Sequence, residues 1–143
     1  MSADFVAAAR GWIGTPYLHQ ASVRGVGCDC LGLVRGVWRE VHGAEPEAVP
    51  AYTPDWSEPQ GDEVLFAAAS RHLRQVPLSD IAPGQIILFR MRSGSVAKHL
   101  GIVSQGGPGF HFIHAYAGHG VVESPLSAPW RRRIAACFAF SKG

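Results

Sequence analysis

The sequence predicts an α+β, papain-like arrangement in which N-terminal helices pack on a mostly antiparallel sheet of about five strands. Apolar residues recur at helical spacing in the first half of the chain. After Gly84 the pattern changes to short apolar runs separated by turns that contain Gly or Pro. With 143 residues, of which 47% are hydrophobic and 17% are charged, we expect one domain over 1–143 with a substantial core.

Three helices are expected in the first half of the chain, at Asp4–Gly14, Leu31–Gly43 and Asp62–Gln75. The second helix has the strongest signals, because Asp29 is a favoured N-cap residue and Gly43 is a favoured stop. Residues 18–27 are polar and rich in Gly, so we expect a loop there. The Pro-rich stretch 44–61 has no period and is expected to form a long surface loop.

The second half of the chain is expected to form strands at Ile86–Met91, His99–Ser104, Phe110–Tyr116, Gly120–Glu123 and Arg133–Phe140. The first of these runs is almost continuously apolar, which is typical of a strand that is buried on both faces. The segment 124–130 is expected to be a short connection.

Cys30 is the first candidate for chemistry, because it lies at the start of the second expected helix. Unpaired N–H groups and the positive end of the helix dipole favour a thiolate at that position. A thiolate is the reactive form of cysteine. The alternative is that Cys30 is a small buried apolar residue, as most free cysteines are.

A cysteine nucleophile needs a base and a group that orients the base. His99 opens an expected strand and shares a face with Gly101, which would leave room for a substrate or a helix end. His111 and His114 lie an odd number of residues apart on one strand, so they face opposite sides. A single histidine on an apolar strand is nevertheless more often a core residue. Zinc ligands are also present, although their spacing is unusual for a structural zinc site: Cys28, Cys30, His99, His111, His114 and His119.

Composition excludes several classes of protein. The net charge of +2 is too small to require nucleic acid, and the short basic run at 131–133 is expected to be a solvated strand edge. No signal peptide is expected at the N-terminus, and no apolar run is long enough to span a bilayer. The three cysteines cannot all pair, which predicts free thiols in a protein made in the cytoplasm.

Several short motifs, in one order along the chain, resemble those of the NlpC-type cell-wall cysteine peptidases, which are papain-like. The resemblance extends from about Ala9 to Phe138. The run from Gly27 to Gly32 is most similar to the branch found with phage tails and gene transfer agents. The matching motifs are Gly14-Thr15-Pro16-Tyr17, Asp29-Cys30-x-Gly32, Pro83-Gly84, His99-x-Gly101-Ile102, Ile113-His114-Ala115 and Gly120-Val121.

The resemblance implies a role for each matching residue. Cys30 would be the nucleophile, and His99 the general base that then acts as general acid. His114 would orient His99. Tyr17 matches a tyrosine whose hydroxyl lies near the nucleophile and the oxyanion. Asp29 would either bind a substrate amine or only cap the helix.

The function implied is hydrolysis of peptidoglycan stem peptides, at the bond between γ-D-glutamate and a diamino acid, without a metal or cofactor. The same resemblance implies carriage in a phage-like tail, with tail-tip or baseplate proteins as partners, and action in the periplasm or at the cell wall. Neither nucleic acid nor membrane insertion is expected. Two alternatives remain, a structural tail or baseplate component that keeps the fold, and a thiol amidase or acyltransferase.

Overall fold

The fold is described from a computed structural model that covers residues 2–47, 63–92 and 94–140. Most of the loop expected at 44–61 lies outside these residues, so its place beside a cleft stays a prediction. Within the described ranges, the helices are α1 (Ser2–Arg10), α2 (Cys30–His42), α3 (Val64–His72) and α4 (Ala128–Arg131). None of these helices combines the length and the hydropathy needed to cross a membrane.

In the part of the chain that the structure describes, the strands form one large antiparallel sheet and one small hairpin. The large sheet has the order β3-β8-β4-β5-β6-β7, and β1 pairs with β2. The antiparallel sheet packed against helices confirms the expected fold class. The sheet has six strands where about five were expected, because β3 adds a strand at its edge. The strands are β1 (Ser22–Val23), β2 (Gly27–Cys28), β3 (Arg74–Val76), β4 (Ile86–Arg90), β5 (Ala97–Gln105), β6 (His111–Tyr116), β7 (Gly120–Pro125) and β8 (Ile134–Ala139).

Two of the expected helices are shorter in the structure. α1 ends at Arg10, and turns lead from it to Gly14, whose φ of 94° is unfavourable for residues other than glycine. α3 ends at His72, because the chain becomes extended at Leu73 and then pairs with β8 as the extra strand β3. Pairing with a distant strand therefore overrides the local helical pattern.

The large sheet is buried on both faces. On one face, α1 and α2 pack over a cluster that includes Phe5, Leu33 and Leu88. The opposite face carries a second cluster that includes Phe89 and Phe112. Side chains of β4 alternate between the clusters, as expected for the apolar run at 86–91. Each fully buried side chain of this kind stabilises the fold by about 1.5–3 kcal/mol.

Candidate active site

The start of α2 is fixed by the carboxylate of Asp29, which is only 2% exposed. One carboxylate oxygen accepts a hydrogen bond from the backbone N–H of Gly32 at 2.7 Å, which is the N-cap interaction. The other accepts from the backbone N–H of Gln20, also at 2.7 Å. Nδ1 of His19 lies 3.6 Å from the same oxygen. Asp29 is therefore the helix cap, and a contact with a substrate amine stays a prediction.

Gly32 allows the loop that precedes α2 to lie directly against the helix. A Cβ atom on Gly32 would lie 1.8 Å from the carbonyl oxygen of Ala21, which is much closer than atoms can approach. The hydroxyl of Ser22 donates to the carbonyl of Gly32 at 2.6 Å. These contacts hold residues 20–22 against the first turn of α2 and so position Cys30.

Cys30 is the first residue of α2 and is 6% exposed. Its thiol donates to the carbonyl oxygen of Lys98 on β5, with the sulfur 3.7 Å from that oxygen. Burial raises the pKa of Cys30 to about 12, and the negative charge of Asp29 contributes to this rise. The backbone N–H groups of Leu100, Leu31 and Cys30 itself lower this pKa, but by less. The expectation of a thiolate was therefore wrong for this structure, because desolvation outweighs the helix terminus.

Two histidines from neighbouring strands form a buried pair. Nε2 of His99 on β5 lies 2.8 Å from Nδ1 of His114 on β6. Nε2 of His114 lies 3.0 Å from the hydroxyl oxygen of Ser124 on β7. His111, on the same strand as His114, instead places Nδ1 3.0 Å from the carbonyl oxygen of Gly109. The structure therefore brings His114, and not His111, to His99.

Both histidines of the pair are neutral at pH 7. Burial lowers the pKa of His99 to about 3, and the neighbouring His114 adds to this effect. Burial also lowers the pKa of His114 to about 4, with a smaller contribution from His119. A neutral imidazole can accept a proton, so the pair has the protonation state that a general base needs.

Tyr17 lies beside the start of α2. It forms a parallel β-bridge with Cys28, and its side chain packs against the core cluster under α1 and α2. The pKa of Tyr17 is raised to about 12, first by burial and then by the charges of Cys30, Asp29 and Cys28. The hydroxyl is therefore protonated at neutral pH and lies within electrostatic reach of Cys30.

The Cys30 thiol and the histidine pair both lie beside β5, where the thiol contacts the carbonyl of Lys98, the residue that precedes His99. Cys30 packs in the cluster under the helices, whereas the rings of His99 and His114 contact aromatic side chains of the opposite face. Within the described ranges there is no hydrogen bond between the sulfur and the ring of His99. These same ranges contain no group of three His, Cys, Asp or Glu residues placed to hold a metal ion.

The sequence profile of the NlpC/P60 family matches residues 14–138. This chain belongs to the NlpC/P60 family. Members of the family are cysteine peptidases and peptidoglycan hydrolases. A comparison with curated proteins found no significant match.

Solved NlpC/P60 structures share the fold. An NlpC/P60 family protein from Bacillus cereus ATCC 10987 has 21% identity and a TM-score of 0.69, covering 98% of this chain and 40% of its own. The NlpC/p60 domain of the peptidoglycan hydrolase SagA has 23% identity and a TM-score of 0.66, covering 97% and 98%. An NLP/P60 family protein similar to lipoprotein, from Staphylococcus aureus subsp. aureus Mu50, has 17% identity and a TM-score of 0.65, covering 99% and 42%. The chain thus spans about two-fifths of the Bacillus and Staphylococcus proteins.

Two side chains of this NlpC/P60 site were missed by sequence reasoning. The ring of Trp130 stacks on His99 at 5.6 Å between centroids and meets the edge of His114 at 5.1 Å. Trp130 lies on α4, in a connection without periodic signals. Ser124 could have been found, because alternation along a β6–β7 hairpin places it on the same face as Phe112 and His114. Both residues border the histidine pair.

Gly101 has a different role from the one expected. A Cβ atom at this position would lie 2.7 Å from the ring of Phe112 on β6. The space beside the NlpC/P60 histidine pair is therefore filled by an aromatic side chain of the neighbouring strand, and not left for a substrate. Gly101 allows Phe112 to pack closely beside His114.

Proposed function

We propose that this chain is a cysteine peptidase that hydrolyses the peptide stems of peptidoglycan. The observation that carries the proposal is the buried hydrogen bond between His99 and His114, next to the main chain that the helix-start thiol of Cys30 contacts. Similar structures support the substrate class. One is the domain of the peptidoglycan hydrolase SagA. Another is Ly7917 with the hydrolyzing product of MDP, which has 15% identity and a TM-score of 0.62, covering 97% of this chain and 62% of its own.

His99 serves as the base for Cys30 through its Nδ1 atom. Nε2 is already used by His114, so Nδ1 is the ring nitrogen left for the thiol. The proposal requires the sulfur of Cys30 to turn away from the Lys98 carbonyl and toward that nitrogen when a substrate binds. Catalytic hydrogen bonds are often long in ligand-free enzymes and tighten when a substrate binds. Because burial raises the pKa of the Cys30 thiol and lowers the pKa of His99, the proton stays on the sulfur before a substrate binds.

The chemistry proceeds through an acyl-enzyme. The sulfur of Cys30 attacks the amide carbonyl, and the backbone N–H at the start of α2, together with the Tyr17 hydroxyl, stabilises the oxyanion. His99 then donates the proton to the leaving amine. Water, activated by His99, hydrolyses the thioester and restores the thiol.

We propose further that the enzyme cuts the bond between γ-D-glutamate and a diamino acid, and that a phage-like tail or gene transfer agent carries the enzyme. The sequence Gly-Cys-Asp-Cys-Leu-Gly at 27–32 supports this branch of the family. The protein would be made in the cytoplasm, dock on a tail-tip or baseplate subunit, and act in the periplasm or at the wall.

The test is digestion of purified Gram-negative peptidoglycan, followed by liquid chromatography and mass spectrometry of the released fragments. Wild type should create new amine and carboxyl termini at the γ-D-glutamyl bond, and Cys30→Ala should create none. Cys28→Ala is the matched control, since Cys28 is a buried thiol two residues away that lies on β2 and not at the start of α2. Cleavage at another stem bond would support the peptidase activity but contradict the proposed specificity for the γ-D-glutamyl bond. Absence of cleavage by folded wild type would favour the structural tail component.

A further inference from the structure

The hydrogen bonds of the histidine pair continue to a third strand. Ser124 is half-buried on β7, where it pairs with Phe112, and its hydroxyl oxygen lies 3.0 Å from Nε2 of His114. The ring of His114 is otherwise surrounded by His99, Phe112, Tyr116 and Trp130. Of the hydrogen bonds that the described residues make to His114, one goes to His99 and the other to Ser124.

The direction of these bonds decides whether His99 can act as a base. To accept the thiol proton on Nδ1, His99 must carry its own hydrogen on Nε2 and donate it to Nδ1 of His114. His114 must then carry its hydrogen on Nε2, where an acceptor is needed. The hydroxyl oxygen of Ser124, 3.0 Å away, is placed to serve as that acceptor.

We propose that Ser124 is a positioning residue that holds His114 in the tautomer that keeps Nδ1 of His99 free for the Cys30 proton. The inference rests on the proposed peptidase function. Without the hydroxyl, the Nε2–H of His114 would be a buried donor with no acceptor, and such orphaned donors are rare. The hydrogen would move to Nδ1 of His114, and His99 would then hold its hydrogen on the wrong nitrogen. A wrong tautomer of the base abolishes most of the rate in other hydrolases.

Threonine and valine at position 124 provide a matched pair. The two side chains have nearly the same shape and both suit a strand, but only threonine has the hydroxyl. We expect Ser124→Val to lower kcat about tenfold or more, with KM nearly unchanged, and Ser124→Thr to stay within about threefold of wild type. Ser104→Ala is a further control, because that hydroxyl donates to Glu123 and does not touch the histidine pair.

The tautomer itself is measured by nitrogen NMR of the histidine rings in folded protein, which does not depend on activity. Wild type and Ser124→Thr should carry the hydrogen of His114 on Nε2, and Ser124→Val should carry it on Nδ1. An Nδ1–H in wild type, or the same tautomer in all three proteins, would overturn the inference. If wild type has no peptidase activity but the tautomers change as expected, the proposed function fails, whereas the dependence of the His114 tautomer on Ser124 is confirmed. If wild type is active and Ser124→Val matches it in rate, only the positioning role fails.

Discussion

Replacing Asp29 tests whether the start of α2 depends on its carboxylate. In Asp29→Ala the N-cap bond to Gly32 is lost, which costs about 1 kcal/mol. The N–H of Gln20 also loses its carboxylate acceptor, at a cost of about 1–3 kcal/mol. Together these losses lower the free energy of unfolding by about 2–4 kcal/mol, out of a typical total of about 5–15 kcal/mol. For a chain of this size, the melting temperature should fall by about 10 °C.

Asp29→Asn is the matched variant. Asparagine keeps one oxygen for the Gly32 N–H but directs its NH2 group at the N–H of Gln20, so we expect about 1–3 kcal/mol of the loss seen with alanine to remain. Both variants also remove the charge that raises the pKa of Cys30, so this pKa should fall in each.

If Asp29 also binds a substrate amine, the Asp29→Asn enzyme should show a higher KM than wild type for stems with a free N-terminal amine but not for acetylated stems.

Urea unfolding followed by circular dichroism measures the stability, and thiolate absorbance against pH measures the Cys30 titration. A loss of less than about 0.5 kcal/mol in Asp29→Ala would refute the argument, because that is the usual effect of a surface substitution. A Cys30 pKa that does not fall in either variant would refute the electrostatic part alone.

Three further predictions follow from the packing and the charges. Gly32→Ala should lower the free energy of unfolding by about 3 kcal/mol, because its Cβ overlaps the Ala21 carbonyl, and a urea midpoint equal to wild type would contradict this. His114→Ala should lower kcat about a hundredfold or more, whereas His111→Ala should stay within about twofold, and equal losses would mean that the pairing with His99 is unimportant. Because burial lowers the pKa values of His99 and His114 to about 3 and about 4, the unfolded chain binds more protons below pH 6.5. As the pH falls from about 6.5 to about 5, the free energy of unfolding of wild type should therefore fall by about 3 kcal/mol. In His114→Ala it should fall by about half as much. A free energy of unfolding that is constant over this range would contradict the buried neutral pair.

Local signals were enough to predict α2 almost to the residue. The expected helix Leu31–Gly43 compares with Cys30–His42 in the structure, and Gly43 has the positive φ of 90° that a glycine stop allows. The Asp29 cap and the periodic apolar face both act within a few residues. The main strands from β4 to β8 were predicted to within a few residues for the same reason, because alternation and turn residues are local.

Short strands could not be predicted, because their stability comes from partners that are distant in sequence. β3 exists because Arg74 to Val76 pairs with residues 137–139 of β8. The β1–β2 hairpin has only two residues in each strand, too few to show a period, and contacts with the start of α2 hold it in place. The sequence pattern therefore predicted a helix end for the residues of β3 and a loop for the residues of β1 and β2.

By itself, the sequence determined that a cysteine begins a helix and that histidines follow on strands, because caps, periodicity and turns depend on neighbours along the chain. Only the tertiary structure decided which histidine pairs with His99, since that choice depends on the register of β5, β6 and β7. Tertiary packing also decided the charge of the site. The helix terminus that favours a thiolate at Cys30 is local, whereas the desolvation that outweighs it comes from burial in a core cluster that includes strands much later in the chain.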